Sequence, residues 1–510
     1  MLKKGLTTNK KIAKNTGFLY VRMLLMMGIA FFSSRILLRE LGISDFGLYG
    51  VIGGVVAMFS SLRGIFASSI QRFLNVEMGK GNIEELKKIF STGVTIHILV
   101  SLVFLVLAET VGLWFLNSKL IIEPSRLTAA NWAYQFSILA SIVTIMTIPY
   151  DAVIIANERM KAFAYLSILD ATLKLSIIFL ISVFGGDKLI FYAFLILCVS
   201  LLTRIVSMIY CTRNFEESKY KFLWDRTLFK QIGGFAGWNF LGNSAFTFSN
   251  EGVNMLLNIF GGTPVNAARG IAYQVKSVTS QFTSNILIAV NPQLIKLYSQ
   301  NKEKEFTQLF FFVSKTSFFV MFILSLPIFF LVETVLTLWL VMVPPYTVIF
   351  VKLILVFLSI RIFHGPIDIL YKASGKIKSY QLIEAATLFL NLPISYILLK
   401  NNFKLESVFV VMIFIEILNL IAILKLAQKR SEMNLTNYLK SVLLPCLWVS
   451  SIAIPFSYLL MNSLNSNSLL IQFAYLIGVF LITAVSVFLV GFKKSEKKNF
   501  YRYVISLKNK

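Results

Sequence analysis

Charge is what this sequence is short of. Only 14% of its 510 residues are charged, against 57% hydrophobic, whereas water-soluble domains carry about 25% charge. That shortfall excludes a disordered regulator and an ordinary soluble enzyme. Cysteine is nearly missing. Cys198, Cys211 and Cys446 lie in apolar stretches without paired spacing, which excludes a disulfide scaffold and reads as small buried core residues. Histidine is rarer still, with His97 and His364 in different apolar stretches. Metal chemistry needs clustered ligands, so no metal centre, no cofactor and no histidine-based triad is expected. No phosphate-cradling loop of the G-x-x-x-x-G-K-[ST] type occurs, so ATP is not expected to drive the protein directly.

What is present is apolar length. A helix crosses the hydrocarbon core with about 20 apolar residues, and fourteen such stretches follow one another. They cover about 16–38, 46–68, 91–115, 128–154, 163–184, 189–211, 232–258, 267–291, 308–333, 346–371, 379–399, 406–426, 440–462 and 468–491. Ser, Gly and Asn dilute the second and the seventh. The expected class is an all-α polytopic membrane protein. Lys3, Lys4, Lys10, Lys11 and Lys14 precede a first span too long for a signal-peptide core, so it reads as a retained helix.

The net charge of +25 is then an orientation signal. With the N-terminus inside, the outer loops hold Arg39, Lys119, Arg126, Lys188, Lys400 and Lys404, while the inner segments and the tail hold most of the other cations. Both termini are expected in the cytoplasm. The charge is accounted for by orientation and by anionic membrane lipids, without nucleic acid. The longest loop, 212–231, contains Lys221-Phe222-Leu223-Trp224-Asp225-Arg226 and suits a helix lying on the inner membrane surface. It is too short for a catalytic domain.

The chain also repeats itself. At an offset of 220 residues Gly17 matches Gly237, Gly42 matches Gly262 and Gly50 matches Gly270, and the loop at Gly81 falls on that at Asn301. At an offset of 217, Pro149-Tyr150-Asp151 falls on Pro366-Ile367-Asp368. Spans 1–6 and 7–12 then form two equivalent lobes. Six is an even number, so the repeat is parallel, with its axis along the membrane normal. Two such lobes around a central cavity are a transporter plan. The expected division is an N-terminal lobe at 1–211, a cytoplasmic linker at 212–231, a C-terminal lobe at 232–428, two extra spans at 429–491 and a basic tail at 492–510.

The stretch Arg35-Ile36-Leu37-Leu38-Arg39-Glu40-Leu41-Gly42-Ile43-Ser44-Asp45-Phe46-Gly47-Leu48-Tyr49, with the fourteen spans and the 6+6+2 repeat, resembles the polysaccharide flippases of the MOP superfamily. The likeness to a Wzx-type exporter of O-antigen or capsule units covers essentially the whole chain. It implies a MATE-like pair of lobes in a bacterial cytoplasmic membrane. It implies a lipid-linked oligosaccharide on undecaprenyl diphosphate as substrate, and other glycan-assembly proteins as partners. Physics agrees on the need. Each unsatisfied polar group costs several kcal/mol in hydrocarbon, so a sugar chain and a diphosphate require a polar path.

Ionisable groups inside the spans are functional candidates by default. Arg22 and Arg63 sit on the cytoplasmic side of the midplane on antiparallel spans, and guanidinium suits bidentate phosphate contacts. The resemblance implies cavity arginines on the first, second and eighth helices, where Arg22, Arg63 and Arg269 fall, with Lys276 two turns from Arg269. These four are the candidate head-group ligands, although Arg269 also sits near enough to a span end to snorkel. The resemblance places cation sites in the C-terminal lobe, which makes Glu251, Glu384 and Glu416 the candidate ion-coupling residues. Asn239, Asn243 and Asn250 accompany Glu251. Lys174 follows Asp170 by one turn as a candidate buried pair. Pro149, Asp151, Pro366 and Asp368 read as gate or hinge elements. The competing functions are a drug or cation exporter on the same fold, which the excess of intramembrane bases disfavours, and a membrane polymerase or ligase, which would need a long outer loop.

Overall fold

The computed structural model describes residues 2–60, 70, 73–74, 77–78, 81–157, 159–223, 225–373, 377–431, 433–463, 468–493 and 496–497. These are helical almost throughout, with no strand among them. The main helices are α1 (Leu2–Ser60), α2 (Ile83–Leu107), α3 (Leu127–Ile145), α4 (Ile148–Ala156), α5 (Met160–Val183), α6 (Lys188–Asn214) and α7 (Arg226–Ser299). There follow α8 (Glu303–Phe330), α9 (Thr347–Arg361), α10 (His364–Ala373), α11 (Ile377–Phe389), α12 (Ser407–Ser431), α13 (Leu444–Ser463) and α14 (Leu469–Ser486).

Eleven helical segments among the described residues are long and apolar enough to cross a membrane, where the sequence suggested fourteen. The difference lies in spans 1, 2, 7 and 8. Among the described residues the first two contribute the segment Met27–Ala57, and no part of α7 is among the eleven. Both long helices bend at a glycine. Gly42 in α1 has φ 76° and ψ 172°, and Gly262 in α7 has φ 74° and ψ −177°. That backbone region is open essentially to glycine alone. The two glycines are the repeat partners at offset 220. A second pair agrees with them: Gly81 and Asn301 both take positive φ, 73° and 53°, at the start of α2 and α8.

The chain forms two compact units. The first takes Met1–Ala267 with Trp339–Pro344, and the second takes Ala268–Leu338 with Pro345–Lys510. In the first, α3 packs along α6, and Ala129, Ala130 and Ala133 of α3 are buried. Small residues let helix backbones approach closely where lipid supplies no hydrophobic drive between helices. In the second, α9 and α11 both pack on α12, and Tyr371 Oη donates to the Ile423 carbonyl at 3.0 Å to pin α10 there.

The expected surface helix is not seen among the described residues of 221–225, and Arg226 opens α7. Beyond a single turn at Glu216–Ser218 the described residues are irregular up to Asp225. Asp225 caps α7, its carboxylate accepting from Thr227 N at 2.8 Å and Leu228 N at 3.0 Å, and the Lys221 amide donates to Ser91 Oγ on α2.

Helix ends of the first unit are tied together by one arginine. Arg126, just before α3, donates to Asp45 (2.9 and 2.6 Å) and to Asp187 (2.6 and 3.2 Å). Asp187 also caps α6 through Leu189 N and Ile190 N, and Lys188 bonds Glu40 at 2.8 Å. Burial alone would raise the Asp187 carboxyl, but the Arg126 and backbone N–H donors hold it below the usual aspartate range. A carboxylate with a depressed folded pKa stabilises the fold above the unfolded value, near pH 4, and loses that contribution as pH falls through the folded value. The Asp187→Asn variant is therefore expected to be less stable than the native chain at neutral pH. The gap should close below about pH 4, as read by thermal unfolding across pH.

Candidate functional site

Three polar constellations lie within these apolar helices. The first joins the second arm of α1 to α7. Gly47, Gly50 and Gly54 share one helix face by their spacing. A Cβ on Gly47 would stand 1.9 Å from the Thr263 carbonyl oxygen, and one on Gly54 would stand 2.6 Å from Glu251 Oε2. The backbones therefore touch, and polar groups line the seam. Ser44 Oγ meets Thr263 Oγ1 at 3.0 Å. Asn250 donates to Glu251 at 2.7 Å, and Asn254 reaches the Gly50 carbonyl at 3.4 Å. Asn266 donates to the Asn254 carbonyl and side chain at 2.7 and 2.9 Å, and Asn258 to Asn266 at 3.0 Å. Asn258 also accepts from the Ile121 amide at 2.8 Å. Asn254, Asn258 and Asn266 each both donate and accept, which keeps a polar ladder satisfied in a low-dielectric setting.

The second constellation is basic and aromatic. Arg269 lies over the Tyr273 ring, its guanidinium carbon 3.9 Å from the centroid. Lys276 Nζ lies 4.6 Å from the same ring and 5.0 Å from Phe357 on α9. Tyr273 Oη reaches Met412 Sδ on α12. Arg269 does not snorkel outward: it is 4% exposed. The ring quadrupole attracts both cations, so one tyrosine holds two positive side chains, each about one turn from it along α7. The spacing Arg269-x-x-x-Tyr273-x-x-Lys276 puts the three on one helix face, but an uncharged tyrosine in an apolar helix does not signal the contact in the sequence.

The third is an ion cluster. Arg361 ends α9, and its two terminal nitrogens reach Glu384 of α11 and Glu416 of α12, the latter at 3.3 Å. His364 starts α10, with Nδ1 3.3 Å from Arg361 Nη1 and Nε2 2.8 Å from Glu416 Oε1. Glu416 is 1% exposed.

The structure thus brings some of the sequence candidates together and separates others. Arg269 and Lys276 share Tyr273. Glu384 and Glu416 share Arg361, while Glu251 belongs to the seam in the first unit. Arg22 lies on the helical part of α1 with its side chain outside the description, and so do the side chains of Asn239 and Asn243. Arg63 lies outside the described residues. Asp170 and Lys174 pair at 2.8 Å, but both side chains are partly exposed rather than buried. Helices do break just before Pro149 and Pro366, where α3 gives way to α4 and α9 to α10. Sequence reasoning missed the partnership of Arg361 and His364. Its signal was a three-residue spacing on one helix face.

The sequence profile of the family described as "polysaccharide biosynthesis protein" matches residues 12–298. No curated protein matches the chain in sequence. Among solved structures, the lipid II flippase MurJ in an inward closed conformation superposes with a TM-score of 0.72 at 14% identity, over 95% of this chain and 99% of that one. An inward-facing multidrug resistance MATE transporter of the MOP superfamily gives 0.67 at 11% identity, over 82% and 95%. A MOP superfamily transporter from Pyrococcus furiosus gives 0.60 at 12%, over 83% and 96%. At these identities the likeness is one of fold.

Proposed function

The chain belongs to the polysaccharide biosynthesis protein family, and from that premise we propose that it flips undecaprenyl-diphosphate-linked oligosaccharide units from the cytoplasmic to the outer leaflet of a bacterial cytoplasmic membrane. The product serves surface polysaccharide of the O-antigen or capsule kind. The observation that carries this reading is the Arg269–Tyr273–Lys276 column. Two cations held on one aromatic ring suit the charge of a diphosphate. Arg22 and Arg63 are proposed to complete the head-group site. A cavity of about 500 Å³ in the second unit, lined by Phe318, Phe322, Phe329, Phe330, Leu447 and Ile454 among others, is almost wholly apolar and suits the polyprenyl chain. In this reading residues 1–211 and 232–428 act as two repeats in alternating access. Glycine bends at Gly42 and Gly262 and helix breaks before Pro149 and Pro366 provide the joints, with Asp151 and Asp368 beside them.

The test follows the lipid-linked oligosaccharide in cells depleted of the protein. Accumulation facing the cytoplasm, with loss of surface glycan, is the expected result. Restoring the native chain should reverse it, and restoring Arg269→Ala or Lys276→Ala at equal membrane abundance should restore at most about a tenth of the flux, the effect of about 1.4 kcal/mol of lost transition-state binding. Single units appearing unpolymerised on the outer leaflet would overturn the reading in favour of a polymerase or ligase. Unchanged glycan with lost drug tolerance would favour an exporter.

A further inference from the structure

The helix α5 has two opposite faces. Tyr165, Phe179 and Val183 are exposed apolar side chains, and at 3.6 residues per turn they share one face with Thr172 and Ser176. The hydroxyls of those two bond their own helix, Thr172 Oγ1 donating to Ile168 O at 2.8 Å and Ser176 Oγ to Thr172 O at 2.9 Å. That side is fit for lipid. On the opposite side runs a second stripe, Phe163, Ser167, Asp170, Lys174, Ile177 and Ile181, spaced alternately by four and three residues as packed helix positions are. Its two ends are closed. Ile177 and Ile181 lie in the apolar core that also holds Tyr134 and Leu189, and Phe163 packs against a separate core around Phe90 and Tyr150. Between the two cores the stripe opens. Asp170 and Lys174, bonded at 2.8 Å, keep 33% and 44% of their side-chain surface exposed.

The depth of that opening decides what it faces. Asp170 and Lys174 both stand at least nine residues from the nearer end of α5, about 14 Å at 1.5 Å per residue. Neither side chain can snorkel that far. Ionisable groups exposed at such a depth are expensive in hydrocarbon, and they face a bundle interior or a water-filled cavity. The lipid face is already taken by the other side of the helix. The fold itself does not call for an ion pair here. At the offset of 217 the second repeat has Thr387 and Asn391 at these positions. Thr387 Oγ1 bonds the Ile383 carbonyl of its own helix at 2.9 Å, and Asn391 is buried.

We infer that the Asp170–Lys174 stripe of α5 lines a water-filled hollow of the first unit at mid-membrane and binds sugar hydroxyls of the substrate there. An ion pair is neutral as a whole, so it has no net attraction for a diphosphate. What it offers is hydrogen bonds in both senses, acceptor oxygens on the carboxylate and N–H donors on the ammonium. Ser167, one turn nearer the start of α5, adds a hydroxyl whose proton is already given to the Phe163 carbonyl at 2.8 Å, leaving its oxygen to accept. A sugar hydroxyl both donates and accepts, which is the complementary pattern, and bonds to charged partners are the stronger kind. The identity of the ligand rests on the flippase reading; the hollow does not.

The experiment has two arms. In the first, Cys198, Cys211 and Cys446 are changed to alanine, and Asp170→Cys, Lys174→Cys, Thr172→Cys and Ser176→Cys are made singly in the full-length chain in lipid vesicles. A charged methanethiosulfonate reagent, supplied on both sides, reacts with thiolate in water and is expected to label positions 170 and 174 about tenfold faster than 172 and 176. Equal rates, or no labelling at 170 and 174, would overturn the hollow whatever the substrate is. In the second arm, the native chain and the double variant Asp170→Asn with Lys174→Met are titrated with lipid-linked oligosaccharide extracted from cells depleted of the protein, and with undecaprenyl diphosphate alone. Thermal stabilisation reads the binding. The native chain is expected to prefer the glycolipid by about tenfold, and the variant to lose that preference while binding undecaprenyl diphosphate as before. A variant that keeps the preference, or that loses both ligands together, would overturn the sugar assignment and leave the flippase reading standing. A native chain stabilised by neither ligand would overturn the flippase reading and the sugar assignment with it, while the first arm still decides the hollow.

Discussion

Replacing Gly47 by alanine is expected to cost about 3 kcal/mol, the top of the usual overpacking range, and to remove most folded protein from the membrane. The added methyl would stand 1.9 Å from the Thr263 carbonyl oxygen, 2.8 Å from its carbon and 3.0 Å from the Ala267 nitrogen. These are backbone atoms and cannot swing aside. The arms of α1 and α7 would have to part, and the contacts along the seam would part with them: Ser44 from Thr263, and Asn254 from the Gly50 carbonyl. Gly50→Ala is the control, because a methyl there meets nothing within 4 Å, and alanine favours a helix over glycine by about 1 kcal/mol. Thermal unfolding of the purified variants, with membrane yield beside it, checks both. A native-like melting temperature for Gly47→Ala would mean that the two helices do not meet at this glycine.

The second large effect is expected at Arg361. Changing it to leucine leaves Glu384 and the buried Glu416 without their shared cation, at a cost of about 3 kcal/mol, the low end for a broken buried pair because Arg361 and Glu384 are partly exposed. The loss should be specific to the broken network. Removing both carboxylates as well, in Arg361→Leu with Glu384→Gln and Glu416→Gln, should recover most of the stability, because neutral replacement of a whole buried ion network is often close to neutral. Arg361→Lys should fall between, since one ammonium cannot reproduce a fork that serves two partners. Unfolding midpoints for the series decide it. If the triple variant were no more stable than Arg361→Leu, the packing of the arginine stem rather than its charge would be the contribution that matters.

The candidate site was legible in uneven parts. Arg269 and Lys276 were visible as intramembrane bases, and Tyr273 between them was not, because an aromatic residue in an apolar helix looks like any other core residue. Glu384 and Glu416 were visible singly. Arg361 and His364 were visible too, but the sequence gives no sign that α9 and α11 pack on the same helix, and only that packing places the arginine between the two acids. The expected surface helix after residue 220 shows the opposite failure. Its mix of aromatic and basic residues suited a helix, but Asp225 starts α7 there by capping it, and a cap overrides composition.

The sequence by itself determined that the chain lives in a membrane, that its helices are long and consecutive, and where the backbone must bend. Those properties are local. Hydrocarbon demands runs of about 20 apolar residues, and only glycine enters the backbone region that Gly42 and Gly262 occupy. The tertiary structure alone decided which buried polar groups meet. That depends on how each helix is rotated about its axis and which helix it lies against, and in lipid, where every face is apolar, the pattern of hydrophobic residues no longer records either one.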